Sequence, residues 1–209
     1  ILLAELLRQL PDSAVAAIQG GTLSNVIPSS ASAVICSGSD REIIDAAQRM
    51  TGEWRKILAP HGDNIHVSVA PAPSVSRAWS AKQKQKLLDL IAELPLEVVE
   101  FDDKWNIPAL SGNLAKIAGD ADNLDILVSL RAQDDAKKHT AQLETFNSFV
   151  KYGFTAQLKE GYAGWKPAEN SILLAEAITA YRQIYGHEPQ VKVIHAGAEC
   201  GLFARKQPE

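Results

Sequence analysis

Residues 113–131 read NLAKIAGDADNLDILVSLR, and this stretch predicts two successive β-strands. The strands are expected over 113–118 and 124–131. In the second one, Ile126, Val128 and Leu130 alternate onto one face, and Arg131 falls on the opposite face. Such alternation is typical of a strand that buries one side and exposes the other.

Outward from this stretch, the same order of elements is predicted twice, about one hundred residues apart: strand, strand, helix, strand, helix. The first set comprises strands at 15–18, 31–36 and 64–70, with helices that begin near 39 and 80. The second comprises strands at 113–118, 124–131 and 154–159, with helices that begin near 134 and 170. A further strand is expected at 98–101, whereas 107–110 is expected to lead into a polar turn.

This repetition predicts an α+β fold of two related units, about 1–94 and 95–190. Each unit is expected to be a ferredoxin-like antiparallel sheet with its helices on one face. The two sheets are expected to join edge to edge into one extended sheet. Two loosely tethered domains are the alternative, but no Gly/Ser-rich or charged linker lies between 94 and 98.

Local signals define several helix ends. Ser39 with Glu42, and Ser80 with Gln83, have the spacing of capping boxes. Gly153 and Gly186 follow apolar helical patterns and are expected to end those helices in left-handed conformations.

Composition excludes several functional classes. The 209 residues are 46% hydrophobic and 22% charged, as in ordinary globular proteins, and the net charge of −4 does not indicate a nucleic-acid partner. No apolar run approaches the ~20 residues that cross a bilayer, so no membrane partner is expected. Cys36 and Cys200 are too few for a disulfide framework, which favours the reducing cytoplasm. Because the chain begins at Ile1 within a helical pattern, we expect it to be a piece of a longer enzyme.

A second stretch, VKVIHAGAECGLF at 191–203, combines a predicted strand at 191–194 with three reactive side chains. These are His195, Glu199 and Cys200, and strand ends are where sheet proteins often place ligand groups. A plain structural turn is the alternative. A cysteine nucleophile is disfavoured because no third residue that would orient a base is evident.

Three other positions invite a functional interpretation. Asn25 lies between a glycine pair and a proline, where it could bind a substrate oxygen or form a turn. Arg131 could grip a carboxylate with its planar fork or be a surface charge. His61-Gly62-Asp63 has the form of a metal-binding His-x-Asp pair, but no further ligand motif supports it, so a polar turn is preferred.

Two motifs together resemble the cytosolic Xaa-His dipeptidases, which are carnosinase-like di-zinc exopeptidases. GGTLSNVIP at 20–28 and HAGAECGLF at 195–203 match the family's motifs, with Ala198 in place of leucine. A third loop, AGWKP at 163–167, matches with Ala163 in place of proline. The order and spacing agree over essentially the whole chain.

The resemblance implies a lid domain at 1–190, with 191–209 as a return strand and turn towards a catalytic domain. Two zinc ions, whose ligands all lie in that catalytic domain, would activate water and the peptide carbonyl. No catalytic or metal-binding residue is expected in the chain itself, so the piece alone is expected to be inactive.

The resemblance also suggests which residues bind the dipeptide. Asn25 and Arg131 are candidates for contacts with substrate oxygens, and Glu199 is a candidate for the substrate ammonium. Asn113 and His195 complete the predicted substrate-binding set. Two alternatives stay open: a module that forms a homodimer through its sheet edge, and a peptide-binding relative without catalysis.

Overall fold

The computed structural model describes residues 1–168, 170–195, 203 and 206, apart from the side chain of residue 63. Within this part the α-helices are α1 (Leu2–Arg8), α2 (Asp40–Ile57), α3 (Ala81–Glu93), α4 (Asp135–Lys151) and α5 (Ile172–Tyr185). The strands are β1 (Ala14–Gly20), β2 (Ala31–Cys36), β3 (Glu97–Asp102), β4 (Ile107–Asp120) and β5 (Leu124–Ala132). None of these helices has both the length and the apolar character that a bilayer crossing requires.

The long strand β4 organises an antiparallel sheet. Its residues 117–120 pair with β1, and its residues 107–112 pair with β3. β5 also pairs with β4, and β2 pairs with the other side of β1. The predicted α+β class with an antiparallel sheet is therefore confirmed.

The polar turn expected after residue 110 is wrong, because β4 continues without interruption. Gly112 explains the continuity: a Cβ atom at this position would lie 1.8 Å from the carbonyl oxygen of Pro95. Only a glycine lets the strand pass this close to a neighbouring backbone.

The chain divides into two compact units that are interleaved in sequence. One unit contains residues 1–94, 113–129 and 147–156, and the other contains 95–112, 130–146 and 157–209. The interleaving arises because β4, β5 and α4 each contribute residues to both units. The predicted structural relationship between 1–94 and 95–190, and their assignment to one lid domain, stay predictions.

The core of the first unit forms where α1 packs beside α2. The cluster consists of Leu6, Leu10, Ile43, Ala46, Ala47, Met50 and Trp54. The indole nitrogen of Trp54 donates to a carboxylate oxygen of Glu5 at 2.8 Å, so the largest side chain of the cluster has its polar atom satisfied.

A buried lysine closes the end of α1 in the same unit. Lys84 of α3 is only 2% exposed, and its Nζ donates to the carbonyl oxygens of Leu10, Pro11 and Ser13 and to the Ser13 hydroxyl. Burial lowers the pKa of Lys84, and the nearby Asp12 opposes this effect. The ammonium therefore replaces solvent as the partner of carbonyl groups that follow the helix.

The predicted helix starts at Ser39 and Ser80 and the two predicted glycine ends are confirmed. At Ser80 both halves of the capping box are present, whereas at Ser39 the structure shows the hydroxyl half, in which Ser39 accepts from the backbone N–H of Glu42. Gly153 and Gly186 have φ angles of 84° and 74°, as left-handed helix ends require.

Three predicted strands are wrong. Residues 64–70, 154–159 and 191–194 lie outside the strands of the structure. Alternating apolar residues indicate which side of a segment is buried, but a strand also needs a partner that satisfies its backbone. In the first of these segments Ile65 packs against the core, and its carbonyl accepts from the Arg55 guanidinium.

Candidate substrate-binding site

His195 is attached to β4 by its side chain. Its Nε2 atom lies 2.7 Å from the hydroxyl oxygen of Ser111, and its ring also forms a hydrogen bond with the backbone of Pro108. Proline has no backbone N–H, so the carbonyl of Pro108 must accept from a ring N–H. This half-buried imidazole is therefore held by two residues of β4, within the second unit.

Arg131, near the end of β5, sets the electrostatic environment of this histidine. Burial of the ring lowers the pKa of His195 below its ordinary value of 6.5, and the positive charge of Arg131 lowers it further. The hydrogen bond to Pro108 opposes both effects. The imidazole is consequently neutral at pH 7, and the guanidinium beside it carries the positive charge.

This lowered pKa links the stability of the fold to pH. The unfolded chain takes up the His195 proton more readily than the folded chain does. The contribution of His195 to the free energy of unfolding is thus fully present above pH 6.5 and is lost as the pH falls through the folded-state pKa.

Asn113 and the loop that carries Asn25 come together in the first unit. The Asn113 side-chain amide donates to the carbonyl oxygen of Val26 at 2.9 Å. The loop leaves β1 at Gly21, which has a φ of 70°. A Cβ atom added at Gly21 would lie 2.0 Å from the Ala115 carbonyl oxygen, so this position requires glycine. Asn25 itself is exposed at the turn of this loop.

The two remaining candidate regions have different outcomes. Glu199, together with Cys200, lies outside the described residues. Gly62–Asn64 forms a short 3-10 turn that begins beside His61. Among the side chains that the structure describes, no three or more His, Cys, Asp and Glu residues form a group suited to a metal ion.

Ser111 is the residue that sequence reasoning missed as a partner in the site. The predicted turn at 111–112 concealed it, because a turn residue would not present its side chain in register with a strand. Its position two residues before Asn113 in a Ser-Gly-Asn sequence was the available signal.

No model of a known protein family matches the sequence. Over 197 residues the chain is 26% identical to the cytosol non-specific dipeptidase of Escherichia coli (strain K12). The chain is a homologue of this dipeptidase. The match covers 91% of the chain but only 40% of the dipeptidase, so the chain spans less than half of its relative's length.

A solved structure has a similar fold. The fold is similar to that of the aminoacylhistidine dipeptidase from Vibrio alginolyticus, with a TM-score of 0.86 and 23% sequence identity. The similarity covers 98% of the chain and 43% of that protein. The resemblance to dipeptidases that the sequence motifs predict is confirmed.

Proposed function

We propose that the chain is the lid domain of a cytoplasmic di-zinc dipeptidase that hydrolyses Xaa-His and related dipeptides. The observation that carries this proposal is the homology of 91% of the chain to 40% of a dipeptidase. The rest of the dipeptidase's length is what the proposal assigns to the catalytic domain.

Both zinc ions are assigned to the catalytic domain, as the motif resemblance implies. The chain's own partners are then the dipeptide and that catalytic domain. In this role the lid would bind and orient the substrate and exclude water when it closes.

Arg131 is the residue best suited to the C-terminal carboxylate of a dipeptide. The residue is half-buried, and partial burial strengthens the attraction of a charge for an anion relative to a fully solvated charge. The neutral ring of His195 adds no competing charge. Asn25 and Asn113 are proposed to contact other substrate oxygens, and Glu199 is proposed to accept from the substrate ammonium.

The proposal is tested by assaying the longer enzyme that contains this chain. We expect it to release histidine from Xaa-His dipeptides, to lose activity after chelation and to regain it with zinc. The 209-residue chain alone is expected to be inactive under the same conditions. Hydrolysis by the chain alone would contradict the assignment of catalysis to the other domain. Full activity in the presence of a chelator would contradict the proposed role of zinc.

Exposed apolar residues on β3 favour a second role as a homodimer interface. Val98, Val99 and Phe101 are 53%, 44% and 49% exposed, although apolar strand residues are usually covered. We expect light scattering to show a dimer for the longer enzyme, and Phe101→Glu to shift it towards the monomer. A monomer at high protein concentration would refute this role.

A further inference from the structure

We propose that Ser111 is a positioning residue that fixes the His195 ring beside Arg131 and thereby prepares the carboxylate-binding part of the site. This inference rests on the proposed function and extends it to a residue to which neither the resemblance nor the comparisons give a role.

Two residues of β4 contact the ring. The Ser111 hydroxyl oxygen lies 2.7 Å from Nε2 of His195, and the ring also forms a hydrogen bond with the backbone of Pro108. A serine hydroxyl can donate to a ring nitrogen or accept from its N–H, so the Ser111 contact orients the ring in either tautomer. Two contacts from one strand therefore fix the orientation of the ring.

The strand itself holds these two contacts in place. Pro108 and Ser111 pair with Phe101 and Val98 of β3, so the backbone at both positions belongs to the β3–β4 ladder. Residues 191–194, by contrast, lie outside the strands, and Ile194 is 62% exposed. His195 is thus the point at which this segment is fastened to a rigid strand.

The expected consequence is an ordered environment for Arg131. A ring held by two contacts keeps one orientation beside the guanidinium. Without the Ser111 hydroxyl, the ring would lose one of these contacts and the tautomer balance that the hydroxyl favours. Because the substrate carboxylate does not react, this loss should weaken binding more than it slows the chemical step.

The test compares Ser111→Ala with Ser111→Thr in the longer enzyme. We expect Ser111→Ala to raise KM for dipeptides about 2–15-fold with kcat nearly unchanged, and Ser111→Thr to restore KM because it keeps a hydroxyl. Ser32→Ala, which removes an exposed strand hydroxyl on β2, is the matched control and should leave both constants unchanged.

A second measurement does not depend on activity. Long-range proton–nitrogen NMR correlations should show the same tautomer balance of His195 in the wild type and in Ser111→Thr, and a different balance in Ser111→Ala. An unchanged tautomer in Ser111→Ala, or an unchanged KM despite a changed tautomer, would overturn the inference. A changed tautomer in an enzyme that cleaves no dipeptide would instead refute the proposed function and, with it, the link to substrate.

Discussion

Replacement of Arg131 by alanine in the longer enzyme is expected to lower kcat/KM for dipeptides about 10–1000-fold. The guanidinium offers two parallel N–H donors to a carboxylate, and charge-assisted hydrogen bonds of this kind are the strongest polar contacts a lid can make. Steady-state kinetics with an Xaa-His dipeptide would measure the effect. Arg131→Lys should fall between the wild type and the alanine variant, since it keeps the charge and loses the planar fork.

A matched control and an independent readout sharpen this prediction. Arg77 is an exposed arginine that pairs with Asp122, and Arg77→Ala should leave the kinetics unchanged. In Arg131→Ala the pKa of His195 should rise towards its ordinary value, because the repelling positive charge is gone. NMR titration would show this rise and would also establish that the variant is folded. Unchanged kinetics together with a raised pKa would place Arg131 beside His195 but outside the substrate site.

Replacement of Lys84 by methionine is expected to reduce the free energy of unfolding by about 1–3 kcal/mol, the cost of leaving a buried acceptor unsatisfied. Methionine has a similar length but no donor, so the carbonyls of Leu10, Pro11 and Ser13 would lose their shared partner. The Leu10 carbonyl keeps the hydroxyl and the backbone N–H of Ser13 as donors, so the loss falls mainly on the Ser13 carbonyl. Urea denaturation followed by circular dichroism would measure the change.

The control for Lys84 lies one half-turn earlier on the same helix. Lys82 is exposed, and Lys82→Met should change stability by no more than about 0.5 kcal/mol. Equal stability of the two variants would show that the carbonyl groups around Lys84 find water or other donors instead. The ammonium would then be dispensable to the end of α1.

Short-range features of this fold were predictable from local sequence. The caps at Ser39 and Ser80 and the left-handed glycines 153 and 186 depend on a few neighbouring residues, and the structure confirms each of them. The alternation in 124–131 likewise predicted β5, because a side-chain period of two is a property of a single strand. The dipeptidase resemblance came from contiguous motifs in the same way.

The contacts that build the candidate site depend on residues far apart in the chain. Ser111 and His195 are separated by 84 residues, and Lys84 reaches a carbonyl 74 residues away. No periodicity in a short window encodes such pairs, and Ser111 was assigned to a turn for that reason. For the same reason, the alternation in 64–70 predicted a strand, although no strand in the described part of the chain pairs with this segment.

The sequence by itself therefore determined the α+β class, the helix ends and the relationship to dipeptidases. Only the tertiary structure decided that β4 runs unbroken through Gly112 and contributes to both units, and that it holds His195 beside Arg131. The physical reason is that local conformation follows from neighbouring residues, whereas strand pairing, burial of a charge and the protonation of a histidine depend on what the rest of the chain brings into contact with them.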